Sequence, residues 1–308
     1  MTREEKMASR VLAIRKLVPP FDLVKLANEY GEVEFIELPF NADGITVGIG
    51  DLSKPKILIN SDAVETRKKF TLAHEIGHIV IPWHTGTIVS HLEPGEEDIE
   101  YKYMEAEANR FAAELLMPTE WLIREFESSN SIEEYFKAVL DKSGASKDAA
   151  FFKIFKPLNA PVICLQLDSF SNVTRQARSL VAPYVPNITT FTSPEMIPFD
   201  HKFESFVIDE RIYACWTFAG KSIPDQDPRT WREILEEILN DTNKKELLQS
   251  VNSTLAAAFN KNKALQESEI CGAIIRSFAS KPNFSSITSH GLFEQYIVKR
   301  VKELSTRK

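Results

Sequence analysis

Three observations predict an α+β fold for this 308-residue chain. Three short strand-like runs follow one another: VEFIELPF (33–40), ITVGIG (45–50) and KILIN (56–60). Turn chemistry at Asn41 to Gly44 and at Asp51 to Pro55 separates them, so a small three-stranded sheet is expected. Helical segments stand before and after that sheet, and strands grouped apart from helices read as α+β. Composition is that of a globular protein, 43% hydrophobic and 26% charged, and a chain this long buries a sizeable core without staples.

The elements follow in order. Residues 7–18 and 21–30 read as helices, the second opened by Pro19-Pro20 and stopped by Gly31. After the three strands, Asn60, Ser61 and Asp62 offer N-cap side chains to a long helix that runs to about Ile81 and is closed by Pro82. From His84 to about Glu100 a polar loop is expected, with the acidic run EPGEEDIE as solvated surface. A second strong helix, rich in Ala, Glu and Leu, runs from about Tyr101 to Met117 and stops at Pro118, where a third begins. Residues 131–157 read as helix, tight turn at 143–146, helix, a helix-turn-helix-like segment.

After Pro161 the pattern changes. Strand signals appear in PVICLQL and in KFESFVIDERIYACWTF, a hairpin turning near Asp209-Glu210. Four helical stretches follow, near 228–240, 243–260, 264–279 and 290–304. A boundary near 160 is expected, giving domains 1–160 and 161–308. Tyr213, Trp216 and Phe218 alternate with smaller residues and read as sheet core.

Charge is unevenly spread. Residues 1–150 hold 17 Lys and Arg against 27 Asp and Glu, net −10, and the remainder holds 20 against 17, net +3. An acidic front half argues against a broad phosphate-binding surface there. The second helix of the 131–157 segment carries Phe151, Phe152, Ile154 and Phe155. Large apolar side chains suit packing, not base edges, so no direct nucleic-acid binding is expected. Three scattered cysteines, Cys164, Cys215 and Cys271, give neither a disulfide framework nor a thiolate metal site. The charged opening MTREEKMASRVLAIRKL has no apolar signal core, and no run approaches the ~18 apolar residues of a membrane span. A cytoplasmic protein without a membrane partner is expected.

The stretch FTLAHEIGHIV, Phe70 to Val80, contains His-Glu-x-x-His. On a helix, His74 and His78 project about 40° apart, one turn above the other, so both imidazoles can reach one divalent ion. Glu75 is directed beside that ion, where a general base for an activated water belongs. Gly77 leaves the approach uncrowded, and Phe70, Ala73, Ile76, Ile79 and Val80 bury the rest of the helix. A reactive site needs a third protein ligand. The second helix offers Glu105 and Glu107, about 200° apart, so at most one faces the ion. Glu105 has Asn109 at i+4 to orient a ligand histidine, whereas Glu107 has Phe111 there. Glu105 is the expected ligand and Asn109 its orienting partner; Glu107 and Glu114 read as solvated surface. Ala106, Ala108, Ala112 and Ala113 let the two helices pack closely.

RKKFTLAHEIGHIV followed by EAEANRFAAELLMP resembles the ImmA/IrrE family of metallopeptidases. The upstream FDLVKLANEYG, VEFIEL, ITVGIG and KILINSD resemble that family's opening, so the likeness spans roughly residues 10–160. It implies a minimal zincin-like core in which His74, His78 and Glu105 hold the metal and Glu75 is the catalytic base. It also implies an endopeptidase that cleaves a helix-turn-helix transcriptional repressor in stress response or mobile-element regulation.

Zinc is the default ion for two histidines and a carboxylate, with manganese or another divalent ion able to use the same ligands. His84, His91, Tyr101 and Tyr103 are open candidates for stabilising an oxyanion, whereas His201 and His290 belong to the other domain. Residues 161–308 are expected to sense a signal or capture the substrate. The competing readings are a metal-bound regulator that binds its repressor without hydrolysis and a DNA-binding regulator using 131–157. A site without hydrolysis has no need of Glu75, and the phenylalanine-rich helix disfavours DNA.

Overall fold

The computed structural model describes residues 1–38, 42–51, 54–90 and 99–306. It is α+β and divides into two compact units, Met1–Pro157 and Leu158–Lys308.

The first unit opens with α1 (Arg3–Arg15) and α2 (Leu23–Tyr30). α1 starts earlier than its apolar pattern predicts because Thr2 and Glu5 form a reciprocal capping box. Asp22 caps α2 through the Lys25 amide. Then come β1 (Glu32–Ile36), β2 (Gly44–Ile49), β3 (Lys56–Asn60), α3 (Glu65–Val80) and β4 (Gly86–Ser90). The sheet order is β1-β3-β2-β4, with β1 parallel to β3 and the other pairs antiparallel.

β4 corrects the expected loop after His84. Its five residues, GTIVS, hold three β-branched side chains but form too short a run between His84 and the acidic stretch to stand out, and pairing with β2 makes them a strand. The cap of α3 is a second correction. Val64 holds the N-cap position with no side-chain hydrogen bond, because the polar residues upstream do other work. Asn60 accepts from the Asp62 amide and donates to the Ala42 carbonyl, and the Ser61 amide donates to Ile36. Those contacts build the strand-to-helix turn.

α4 (Ile99–Leu116) packs along α3 and α1. Gly77 is what lets α3 approach: a Cβ there would stand 3.0 Å from Phe111 Cδ1. Its small size therefore serves helix packing and not, as expected, access to an ion. Ala108 and Ala112 are fully buried on α4, while Ala106 and Ala113 are half-buried. Glu114, expected on solvated surface, is buried and accepts from Ser9, Thr119 and Lys153. It ties α1 and the chain beyond α4 to the same helix. α5 (Thr119–Ser128), α6 (Ile132–Ser143) and α7 (Lys147–Ile154) complete the unit. Gly144, at φ 63°, ends α6 in the left-handed conformation. On the α7 segment Phe151, Ile154 and Phe155 are buried as expected, but Phe152 is exposed.

The second unit has β5 (Val162–Leu167), β6 (Val173–Arg178), β7 (Lys202–Ile208) and β8 (Arg211–Thr217) in an antiparallel sheet of order β6-β5-β8-β7. β6 went unpredicted because VTRQAR is a polar edge strand. The β7–β8 hairpin turns at Asp209 and Glu210, both at positive φ, the twist that tight hairpins require. Tyr213, Trp216 and Phe218 are buried, as sheet core. The helices are α8 (Trp231–Asp241), α9 (Leu248–Asn262), α10 (Glu267–Ala279), the short α11 (Ser285–Thr288) and α12 (Phe293–Thr306). They enclose their own core around Leu235, Ile274, Phe278 and Tyr296. All three cysteines are free and buried. Among the described residues, no helix is long and apolar enough to cross a membrane.

Candidate metal centre

α3 carries His74, Glu75 and His78 on its buried length, and α4 brings Glu105 and Asn109 against them. His74 Nε2 and His78 Nε2 lie 2.9 Å apart. Glu105 straddles them, with Oε2 3.2 Å from His74 Nε2 and Oε1 3.2 Å from His78 Nε2. Asn109 Oδ1 lies 3.0 Å from His74 Nδ1. An amide oxygen only accepts, so that ring carries its proton on Nδ1 and leaves Nε2 bare.

The three converging groups suit a divalent cation. Two imidazole nitrogens at van der Waals contact or closer, with no proton to spare between them, repel unless a cation or a proton intervenes. Glu105 Oε1 is buried without a hydrogen-bond donor, which a metal bond would satisfy. Nitrogen, nitrogen and carboxylate oxygen form the donor set of a hydrolytic zinc site, with a further position left open.

Charge in the cluster is correspondingly tense. Burial works to raise the Glu105 carboxyl, but the flanking imidazoles outweigh it and hold the group down at about 2. Burial pushes His78 down to about 4. His74 goes the other way: burial opposes its charge, yet hydrogen bonding to Glu105 and the charges of Glu75 and Glu105 raise it. Rings this close do not both protonate, so one shared proton on the His74 side is the metal-free alternative to an ion.

Glu75 is fully buried beside the three ligands and meets β2. Thr46 donates its hydroxyl to Glu75 Oε2 at 2.5 Å, while Oε1 has no partner. Gly44 makes room for this carboxylate, since a Cβ there would lie 2.5 Å from Oε1. Burial raises the Glu75 carboxyl above its ordinary value. The sequence did not point to Thr46 or Gly44. Both sit on a strand some thirty residues from Glu75, and only sheet pairing places that strand over α3.

Glu107 is the main correction at the site. Its Oε2 accepts from Trp83 Nε1 at 2.6 Å and lies 3.1 Å from His84 Nε2, so it is not plain solvated surface. His84 is buried, and its Nδ1 lies 2.9 Å from His78 Nδ1. Of the open oxyanion candidates, His84 is thus engaged on both nitrogens, and Tyr101 donates to the Val89 carbonyl of β4. Tyr103 is exposed, and His91 lies outside the described residues. His201 and His290 lie in the second unit, against the Phe199 carbonyl and Asp241.

Residues 28–154 match the profile of the IrrE N-terminal-like domain, a peptidase family. That stretch, somewhat under half of the chain, contains every residue placed at the centre above. No curated protein matches the chain. Among solved structures, a Mycobacterium tuberculosis transcriptional regulator aligns at a TM-score of 0.42 and 10% identity, over 71% of this chain and 76% of that one. A likeness that loose carries no argument about fold or activity.

Proposed function

We propose that this protein is a zinc-dependent endopeptidase that cleaves a helix-turn-helix transcriptional repressor. The carrying observation is the division of labour on α3 and α4. Three side chains, His74, His78 and Glu105, converge by their donor atoms, while a fourth, Glu75, stands beside them held by a different partner. His74, His78 and Glu105 would hold a divalent ion, which when bound would supply Lewis acidity toward water and toward a peptide carbonyl. Glu75 then takes the proton of the attacking water and returns it to the departing amine. Its raised proton affinity suits both halves of that exchange. Asn109 keeps His74 in the tautomer that points Nε2 inward. The match of residues 28–154 to a peptidase family supports hydrolysis over mere binding.

The test compares wild type with Glu75→Gln, each incubated with a helix-turn-helix protein encoded beside it. Wild type should release defined fragments, stop on chelation and resume with added zinc. Glu75→Gln should lose about 10² to 10⁴ in rate while keeping its metal. Equal effects of the two proteins on the partner, without fragments, would instead identify a regulator that acts by binding.

A further inference from the structure

The centre described above leaves one buried titratable side chain unused, and it sits against a proposed ligand. His84 is fully enclosed as a side chain, with one nitrogen on His78 and the other on Glu107. We propose that Glu107 and His84 form a positioning chain that fixes His78 with its Nε2 lone pair directed at the metal. The proposal rests on the reading of His74, His78 and Glu105 as a metal centre.

The hydrogen-bond directions follow from one end. A Glu107 carboxylate can only accept, so His84 carries its proton on Nε2, 3.1 Å from Glu107 Oε2. His84 Nδ1 is then bare and can only accept. The facing atom, His78 Nδ1 at 2.9 Å, must therefore carry its proton. That leaves His78 Nε2 without one, facing Glu105 and His74 Nε2. With His84 neutral, as its burial favours, reversing either link sets two N–H groups, or two lone pairs, against each other in a dry interior.

The anchor of the chain is itself held. Trp83 donates its indole N–H to the same Glu107 oxygen at 2.6 Å. The two histidines are thus oriented by different means: Asn109 acts directly on His74, and Glu107 acts on His78 through a second ring. Outer partners of this kind commonly set metal affinity by 10- to 100-fold. Sequence spacing hides the arrangement. Glu107 faces away from Glu105 on α4, and it meets His84 only because the chain turns back after α3.

The experiment titrates zinc into the full chain against a chromophoric chelator. Wild type is compared with His84→Leu, Glu107→Leu, Glu107→Gln and, as the matching partner on the other ring, Asn109→Leu. The Leu variants should bind zinc about 10- to 100-fold more weakly, with metal-free unfolding shifted far less. Glu107→Gln should fall between them and wild type, because its amide oxygen still accepts. Imidazole nitrogen NMR of the wild-type zinc form should place protons on His74 Nδ1, His78 Nδ1 and His84 Nε2.

Zinc binding by His84→Leu and Glu107→Leu as tight as wild type, or a proton on His84 Nδ1, overturns the proposal and leaves the centre standing. A wild-type chain that binds no divalent ion overturns both. If His84→Leu fails to fold, Glu107→Gln and the wild-type NMR spectrum decide the question, since neither empties a buried position.

Discussion

Glu75 meets β2 through one hydroxyl, and that contact makes Thr46 the residue on which the proposed base depends. Thr46→Val should remove the donor that β2 gives the buried carboxylate, leaving it the Ser90 hydroxyl alone, and destabilise the protein by about 1–3 kcal/mol in chemical unfolding. A lost hydrogen bond to the charged form raises a carboxyl's pKa, so the acid limb of kcat/KM should move to higher pH. Thr46→Ser should restore it; an unmoved limb in Thr46→Val would show the hydroxyl to be merely structural. Gly44→Ala places a Cβ 2.5 Å from Glu75 Oε1 and 2.6 Å from Thr71 Cγ2, and should lower cleavage by about 10² through displacement of the carboxylate. The metal-free chain has its own pH signature. Glu105 is held at about 2, below its ordinary 4.5, so its contribution is complete above pH 4.5 and is lost as pH falls toward 2. His74, raised, is already protonated throughout that window and does not offset the loss. Glu105→Gln should flatten the acid limb of stability measured in chelator. The neighbours His74, His78, Glu105 and Asn109 were legible in the sequence because helical spacing fixes angles. Thr46, Gly44, His84 and Glu107 were not, because their contacts cross from strand to helix or around a turn.

At the level of elements, the centre depends on how closely α3 and α4 approach. Gly77 and Phe111 set that distance, since a methyl at 77 would press on the Phe111 ring at 3.0 Å. Gly77→Ala should therefore destabilise by about 1–3 kcal/mol and weaken zinc binding together, as α4 carries Glu105 outward. Thermal unfolding with and without zinc separates the two effects; an unchanged zinc affinity would mean that α4 can yield without moving Glu105. The longer helices were readable because they show two or more turns of apolar periodicity, and Gly31, Pro82, Pro118 and Gly144 close α2, α3, α4 and α6. The short strands β4 and β6 were not: one is a brief β-branched run inside a polar stretch and the other is a polar edge, and both exist through pairing. The cap of α3 misled for a related reason. Asn60 and Ser61 have the chemistry of caps but spend it on the turn that precedes Val64.

The whole molecule has two units with cores of their own, and all the groups of the proposed centre lie in the first. Calorimetry should accordingly resolve two transitions, of which zinc moves one. At 100-fold excess over Kd that transition should gain about 2.7 kcal/mol. A single transition displaced as a block would show the units to be thermodynamically joined. The second unit is proposed to sense a signal or capture the repressor. Removing residues 158–308 should then alter substrate choice without abolishing zinc binding. Tryptophan placement follows the same division. Trp83 and Trp121 lie in the first unit, Trp216 and Trp231 in the second. Trp121 and Trp216 are enclosed, but Trp83 is 45% exposed and hydrogen-bonded to the carboxylate that backs His84. The protein thus carries its own fluorophore wired to the centre. Indole emission that changes with zinc in wild type, and stays flat in Trp83→Phe, would let loading be followed by light alone, with no label attached.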